Sequence, residues 1–430
     1  MKLNYKRTFF AGLAFLSICA FWQMYDNIIP LMLKNTFGLG ETVSGFLMGV
    51  DNILALFLLP LFGAFSDKTS TRLGKRTPYI IVGTVVAVIS MTFIPIANKQ
   101  GNLTMFLVFL GIVLIAMGTY RSPAVALMPD LTPKPLRSKA NAVINLMGAI
   151  GGVYTLVMII VLVKGDSNSY TKVFASVSIL MIIAVIGLIK TINENKLAEE
   201  RGIEAESNKE AQKQMIDEEI REESIGMPKE VRKSFLFILA SIFLWFFAYN
   251  AVTTAYSRYA EVVWKLKPGG FANALIVATV AAIFSYIPIG IIASKFGRKK
   301  TIIGGILMMT ASYLCGALFT EYSFWVNVVF AFTGIGWAAI SVNSYPMVVE
   351  MCKGSDIGKY TGIYYMFSMT SQIITPIVSG ALLEHVSYRT LFPYAVFFSI
   401  ASLCTMLFVR HGDSRPTKKT DVLENFDTAD

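Results

Sequence analysis

Apolar runs of membrane-spanning length recur twelve times along this chain and constrain its fold more than any other feature. Each run holds about 20 or more predominantly apolar residues, the length that an α-helix needs to cross a bilayer. Because the bilayer core offers no water to an unpaired backbone group, segments of this length must be helical there. The sequence predicts an all-α membrane protein with twelve transmembrane helices, over residues 9–33, 44–65, 77–97, 104–128, 140–163, 172–191, 233–256, 271–294, 301–320, 323–349, 357–383 and 390–409.

The composition supports the membrane class and excludes several others. Of 430 residues, 54% are hydrophobic and 15% are charged, whereas soluble domains have about 25% charged residues. The net charge of +10 would favour a nucleic-acid partner in a soluble chain, but here the basic residues lie in loops, where anionic lipid and membrane topology explain them. We therefore expect no nucleic-acid partner. The four cysteines show no paired spacing, so neither a disulfide framework nor a zinc site is predicted.

A charged hairpin between the second and third apolar runs orients the whole chain. Residues 60–79 hold one acid and four bases, namely Asp67, Lys68, Arg72, Lys75 and Arg76. Such a link cannot lie in hydrocarbon, and its excess of Lys and Arg places it on the cytoplasmic side. With twelve spans, both termini are then predicted to be cytoplasmic, in a multi-pass protein of the cytoplasmic membrane. The first apolar run is longer than a signal-peptide core, so we expect it to be an uncleaved helix.

The chain divides into two halves that echo each other. The hairpin pattern that begins at Gly63 recurs after the eighth run, beginning at Gly290. Similarly, Pro123 in the fourth run has a counterpart at Pro346 in the tenth, and each is followed by an acid. Two parallel six-helix repeats describe the major facilitator architecture, with a central site and rocking motion. The predicted divisions are residues 1–192, a charged cytoplasmic linker at 193–232 that is helix-compatible over 197–220, residues 233–410, and a cytoplasmic tail at 411–430.

The hairpin also carries a family resemblance. The positions that resemble the major facilitator signature between helices two and three are Gly63, Ser66, Asp67, Arg72, Gly74, Lys75 and Arg76. The longer runs 66–80 and 123–142 are similar to the matching segments of sucrose transporters and glycoside-pentoside-hexuronide cation symporters. Shorter matches are Trp245 with Arg258 and Gly362 with Gln372. This resemblance implies a symporter that couples a proton or another cation to a disaccharide or glycoside.

The coupling acids of those families do not carry over to this chain. The sodium-coupled sugar symporters have acids at the positions that match Ala55 and Leu59, and plant sucrose carriers have one at the position that matches Leu114. Coupling must therefore be sought among this chain's own intramembrane charges, since a charge buried in a membrane is usually retained for function. We predict Asp26, Asp51 and Arg121 as the coupling residues. In the alternative, Arg121 forms a structural ion pair with one of these acids, and the acids accept hydrogen bonds or are hydrated near the outer surface.

Sugar binding calls for aromatic faces against the ring and for amides or hydroxyls that hydrogen-bond the sugar's hydroxyl groups. Buried amides are the stronger candidates, because an unsatisfied amide in hydrocarbon is costly. The predicted substrate-binding residues are Trp22, Gln23, Asn52, Asn145, Tyr249, Asn250, Asn343, Tyr345 and Gln372, and Tyr256, Trp337 and Tyr364 lie at a similar depth. Each aromatic residue has packing or the interface belt as its alternative role. The predicted cytoplasmic gate, which latches the two halves together by charge and helix-end contacts, consists of Asp67, Arg72, Arg76, Asp130 and Glu350.

The sequence favours a monomeric secondary transporter over an enzyme, an ATP-driven pump and a solute receptor. No phosphate loop, metal-ligand cluster or nucleophile with a nearby base is present, so neither an enzyme nor an ATP-driven pump is predicted, and no cofactor or metal is expected. The expected partners are a sugar, a coupling cation, with H+ as the first choice, and membrane lipid. A proton-antiport exporter of small molecules shares the architecture and remains an alternative. A solute receptor without transport activity is a further alternative.

Overall fold

The computed structural model describes residues 3–132, 137–164, 169–196, 228–351 and 357–413. In this part of the chain, twelve helices are long and apolar enough to cross a membrane. They are α1 (Tyr5–Asn35), α2 (Glu41–Lys68), α3 (Thr77–Gln100), α4 (Leu103–Leu131), α5 (Arg137–Leu162), α6 (Ser169–Thr191), α7 (Lys229–Val262), α8 (Ala272–Phe296), α9 (Arg298–Leu318), α10 (Phe324–Glu350), α11 (Ile357–His385) and α12 (Leu391–Leu407). The predicted helical stretch at 197–220 and the tail beyond 413 lie outside the described residues.

Several helices extend past the apolar runs that predicted them. The helix α7 continues to Val262, whereas its apolar run stops at 256, and α4 continues to Leu131. A helix satisfies its own backbone hydrogen bonds, so polar residues at its ends prolong it into the headgroup region at no cost to the backbone. The apolar runs therefore mark the parts of the helices that lie in hydrocarbon, and the true helix ends lie beyond them.

The two six-helix halves repeat the same packing. In the first half α1 packs on α5 and α6, α2 packs on α4, and α3 packs on α4 and α6. The second half has the corresponding pairs, with α7 on α11 and α12, α8 on α10, and α9 on α10 and α12. The contacts between the halves are symmetric as well, because α2 packs on α11 and α5 packs on α8. This is the arrangement of two parallel repeats about an axis along the membrane normal.

Two faces of the bundle can be named from the chain path. The terminal face holds both ends of the described chain and the links between α2 and α3 and between α8 and α9. The opposite face holds the links at 36–40, 101–102, 263–271, 319–323 and 386–390. Side-chain bonds join the two halves at the opposite face: Asn35 Nδ2 donates to Glu261 Oε2 at 3.5 Å, and the backbone N–H of Thr42 donates to Glu384 Oε2 at 2.7 Å. The halves are therefore in contact at this end.

Glycines allow α2 and α11 to approach closely near the opposite face. A Cβ atom on Gly45 would overlap the carbonyl oxygen of Pro376, and one on Gly49 would lie 3.0 Å from the carbonyl oxygen of Ile373. On the other helix, a Cβ on Gly380 would overlap the carbonyl oxygen of Glu41. Small residues let membrane helices pack backbone to backbone, where dispersion replaces the hydrophobic effect as the driving force. This contact closes the opposite face between the two halves.

Candidate functional site

Three intramembrane charges of the first half lie close together, one from each of three helices. Asp26 belongs to α1, Asp51 to α2 and Arg121 to α4, and their charges interact electrostatically. All three side chains are partly buried. Among the described residues, no direct ion pair joins Arg121 to either acid.

The immediate partners of these charges come from their own half. Asn52 Nδ2 donates to Asp51 Oδ1 at 2.9 Å, which holds one of the two carboxylates in place. The guanidinium carbon of Arg121 lies 5.8 Å from the centroid of the Trp22 ring, within the range of a cation–π contact. Trp22 in turn packs edge-to-face against Phe21 and Tyr25. Two of the predicted coupling residues are therefore in direct contact with two of the predicted substrate residues, Arg121 with Trp22 and Asp51 with Asn52.

The second half contributes aromatic faces and amides. The rings of Tyr249 on α7 and Trp337 on α10 stack with centroids 3.8 Å apart and an interplanar angle of 6°. The neighbouring Phe246 meets Trp337 edge-to-face at 5.3 Å. The Nδ2 atom of Asn250 is buried without a hydrogen-bond partner in the described part of the chain. A flat aromatic platform beside an unpaired amide donor matches what a sugar ring and its hydroxyls require.

The other predicted substrate residues differ in exposure, and the difference separates two groups. Asn343 is 2% exposed and donates to the carbonyl oxygen of Ala339 in its own helix, while Tyr256 and Tyr364 are fully buried in the core. Asn343 and Tyr364 are therefore satisfied by local bonding, whereas the Tyr256 hydroxyl is buried without a hydrogen-bond partner among the described residues. The partly buried group comprises Gln23, Asn145, Tyr345 and Gln372.

The predicted gate residues of the first half pair with one another at the terminal face. Arg76 Nε donates to Asp130 Oδ2 at 2.8 Å, and the same guanidinium pairs with Asp67. Lys75 Nζ lies 3.0 Å from Asp130 Oδ2. Arg72 is exposed and its carbonyl oxygen accepts from Asn195. The gate was predicted to latch the two halves together, whereas these pairs link α2, α3 and α4 within one half.

The second half repeats this arrangement with different residues. Arg298 at the start of α9 pairs with Glu350 at the end of α10, again inside one half. Because both clusters tie together helices of the same half, each half can move as a rigid unit with its own cluster intact. A bond between halves at this face would have to break during rocking, but bonds within a half do not.

Sequence reasoning missed two groups of residues that the fold brings together. Glu194, which follows α6, accepts hydrogen bonds from three backbone N–H groups at the start of α3. In the second half, Asp413 similarly accepts from the N–H of Lys299 at 2.7 Å. The second group lies at the opposite face, where Glu41 pairs with Arg258. The only sequence signals were an acid just after the last helix of each half and the family resemblance at Arg258.

The comparison with known families agrees with this geometry. A family model described as "MFS/sugar transport protein" matches residues 10–409. The chain belongs to this family. Its members are membrane transporters and not enzymes, so the protein is a multi-pass transporter with the major facilitator fold.

Individual relatives are more distant. The sucrose transport protein SUC3 of Arabidopsis thaliana is 28% identical over 151 residues, which cover 31% of this chain and 25% of that protein. The MFS-type efflux transporter pyiT of Pyricularia grisea is 26% identical over 145 residues, covering 32% of this chain and 24% of that protein. The matches thus span a quarter or less of the length of the first curated relatives.

A solved structure shares the fold over nearly the whole chain. The xylose transporter XylE from E. coli, in its inward open conformation, superposes with a TM-score of 0.69 at 18% sequence identity. The superposition covers 98% of each chain. At this identity the likeness concerns the fold alone.

Proposed function

We propose that the protein is a secondary active transporter that brings a disaccharide or glycoside into the cell together with a proton. The observation that carries the proposal is the cluster of Asp26, Asp51 and Arg121 in one half, while the other half contributes an aromatic stack and a buried amide on α7 and α10. A carboxylate in the membrane that is neither paired nor exposed can bind a proton from one side and release it to the other. Membership of a sugar-transport family supports the choice of substrate class.

The proposed roles follow the position of each residue. Asp26 and Asp51 carry the proton, and Arg121 adjusts their affinity for it by its positive charge. Tyr249 and Trp337 present an aromatic face to the sugar, and Asn250 donates to its hydroxyls. The partly buried residues Gln23, Asn145, Tyr345 and Gln372 line the path of the sugar at a similar depth. The similarity to a plant sucrose transporter supports a disaccharide as the first substrate to test.

The proposal also covers the orientation of the protein in the membrane. The excess of Lys and Arg at the terminal face supports an orientation in which that face lies in the cytoplasm, with the protein in the cytoplasmic membrane. The proposed transporter acts as a monomer. The halves contact each other at the opposite face, so the described conformation is the inward-facing one. Two charged clusters then keep each half rigid at the cytoplasmic side while the halves rock, namely Asp67–Arg76–Asp130 and Arg298–Glu350. Because each half moves as a rigid unit, these clusters act as the gate at the cytoplasmic entrance.

Transport into proteoliposomes tests the proposal. Vesicles holding the protein receive labelled sucrose, maltose or a β-glucoside, first with an inward proton gradient and then with a sodium gradient. We expect accumulation with the proton gradient, and loss of accumulation in Asp26→Asn or Asp51→Asn, because an amide cannot carry the proton. Glu321→Gln, an acid-to-amide change at an exposed acid in the link between α9 and α10, is the matched control and should transport normally.

An exporter is the second candidate, and the similarity to an efflux transporter favours it. It would exchange a proton for a small molecule in the opposite direction. If none of the three sugars accumulates under either gradient, the sugar importer is refuted. Proton-driven release of a preloaded solute from the same vesicles would then identify the exporter.

A further inference from the structure

A cluster of four side chains at the opposite face joins the two halves, and we call it the inter-half latch. Its members are Lys34 at the end of α1, Glu41 at the start of α2, Arg258 in α7 and Tyr388 before α12. The first two belong to one half and the last two to the other. None of these four has a role in the sugar or proton site proposed above.

Glu41 is the centre of the latch. Its Oε2 atom lies 2.9 Å from Nε of Arg258, its Oε1 atom lies 3.6 Å from Nζ of Lys34, and the hydroxyl of Tyr388 donates to Oε1. The Glu41 and Arg258 side chains are 5% and 3% exposed. A buried ion pair that loses one partner leaves an uncompensated charge, so such a pair constrains the interface much more than a surface pair does.

The latch contains two cations and one carboxylate, so its charged residues have different roles. Two cations, Lys34 in the first half and Arg258 in the second, share the single carboxylate of Glu41 and repel each other across the interface. Glu41 is therefore the counter-ion that turns a repulsive contact between the halves into an attractive one. Removal of Arg258 leaves a pair inside the first half, whereas removal of Glu41 leaves two like charges facing each other.

Other charged groups border the latch. Glu384 on α11 accepts from the N–H of Thr42 and is exposed. Glu261 on α7 bonds to Asn35, is partly buried, and attracts Lys34 more weakly than Glu41 does. Arg389 lies in the adjoining link. The latch also adjoins a cavity of about 610 Å³ that is lined by Lys34, Glu41, Tyr388 and Arg389. Water and solutes from the opposite side therefore reach Glu41 before they reach the transmembrane site.

We propose that Glu41 is the counter-ion that holds the opposite face closed, and that its pair with Arg258 breaks each time this face opens to admit substrate. The inference rests on the proposed function in that it assumes rocking between two states. Glu41 and Arg258 are then positioning residues for transport. They set the balance between the two states and do not contact the sugar.

Spin-label distances in the full-length protein in lipid nanodiscs test the latch without any substrate. After replacement of Cys19, Cys315, Cys352 and Cys404, one label pair at Gln100→Cys and Lys267→Cys reports the opposite face. A second pair, at Ser70→Cys and Lys295→Cys, reports the terminal face. All four label sites are exposed.

The latch predicts an order among the variants. Glu41→Gln should raise the ratio of open to closed opposite face by about tenfold or more, because it leaves Lys34 and Arg258 in repulsion. Arg258→Gln should open it less. In Glu41→Gln combined with Arg258→Gln or with Lys34→Gln, the opposite face should close again relative to Glu41→Gln alone. The control Glu321→Gln should match the parent.

The outcomes separate this proposal from the proposed function. If Glu41→Gln leaves the distances unchanged, or if the double variants open at least as far as Glu41→Gln, the counter-ion role is refuted even when sugar uptake is normal. If the predicted order appears while no sugar accumulates in vesicles, the latch stands and the sugar proposal fails. The second-site variants also guard against misfolding, because a merely unfolded Glu41→Gln protein would not close again on loss of a second charge.

Discussion

Glu194 gives the sharpest test of how the terminal face is held together. Its Oε2 atom accepts from the N–H groups of Lys75 and Arg76 at 2.7 and 2.9 Å, and its Oε1 atom accepts from the N–H of Thr77 at 2.7 Å and from the Thr77 hydroxyl. The residue is 6% exposed. A buried carboxylate thus caps the start of α3, where the helix dipole favours negative charge and where free N–H groups need acceptors.

The cost of its removal can be worked out from these bonds. A hydrogen bond to a charged group contributes about 1.5–3 kcal/mol, but the four bonds share one carboxylate and are not additive. Glu194→Ala leaves three N–H groups and one hydroxyl without this acceptor; because a buried donor left unsatisfied costs about 1–3 kcal/mol, we expect a non-additive total of about 3–5 kcal/mol. Glu194→Gln keeps one carbonyl oxygen that accepts, so its cost should be about 1–3 kcal/mol.

The assay is equilibrium unfolding in mixed micelles, with the free energy of unfolding measured from the denaturing-detergent titration. Glu321→Ala is the control for loss of an exposed acid and should change the free energy little. Asp413→Ala removes the corresponding cap of α9. Asp413 is exposed and, among the described residues, accepts one hydrogen bond, from the N–H of Lys299, so its effect should be below about 1.5 kcal/mol. If Glu194→Ala unfolds at the same detergent fraction as Glu321→Ala, the capping argument is wrong.

Three further predictions concern the transmembrane part. Gly45→Val should force α2 away from Pro376, lengthen the spin-label distance at the opposite face, and leave the terminal-face clusters intact. Trp337→Ala should weaken sugar binding about tenfold or more, measured by calorimetry. Trp337→Phe retains a ring for the stack with Tyr249 and should lose less of the binding affinity. Equal losses of affinity would argue against the aromatic platform. Arg121→Lys keeps the charge but not the planar group over Trp22, so proton-driven uptake should continue at a reduced rate. Arg121→Gln should abolish proton-driven uptake. Normal uptake by Arg121→Gln would remove Arg121 from the coupling role.

Most of the architecture could be predicted from local sequence. The number of spans, the helical class and the two-half repeat all follow from apolar run length and from a motif that recurs near Gly63 and Gly290, because the bilayer restricts each run to one conformation. The family resemblance pointed to the same superfamily as the family match over residues 10–409. Depth along a helix was also readable, which is why Asp26, Asp51 and Arg121 stood out before their proximity was known.

The pairing of side chains could not be read in the same way. The gate residues Asp67, Arg76 and Asp130 do meet, but inside one half, because the ends of α2, α3 and α4 converge there. Glu194, which caps the start of α3 beside these residues, is 119 residues from Lys75 in the chain. The rotation of a helix about its axis decides whether each amide is buried, and successive residues differ by about 100° in direction. A run that is hydrophobic on all sides does not indicate which direction faces the core. For that reason Asn343 is buried in packing while Asn250 retains an unpaired donor.

By itself, the sequence determined that this chain is a twelve-helix membrane transporter built from two similar halves. The physical reason is that an apolar segment of that length must be helical in hydrocarbon, where its backbone groups have no water to bond. Only the tertiary structure decided which charges meet. The hydroxyl of Tyr388 donates to Glu41 across 347 residues of chain, and no local pattern encodes such a contact. It exists because α2 and α11 approach closely at glycines, and that approach is a property of the packed halves and of the state they occupy.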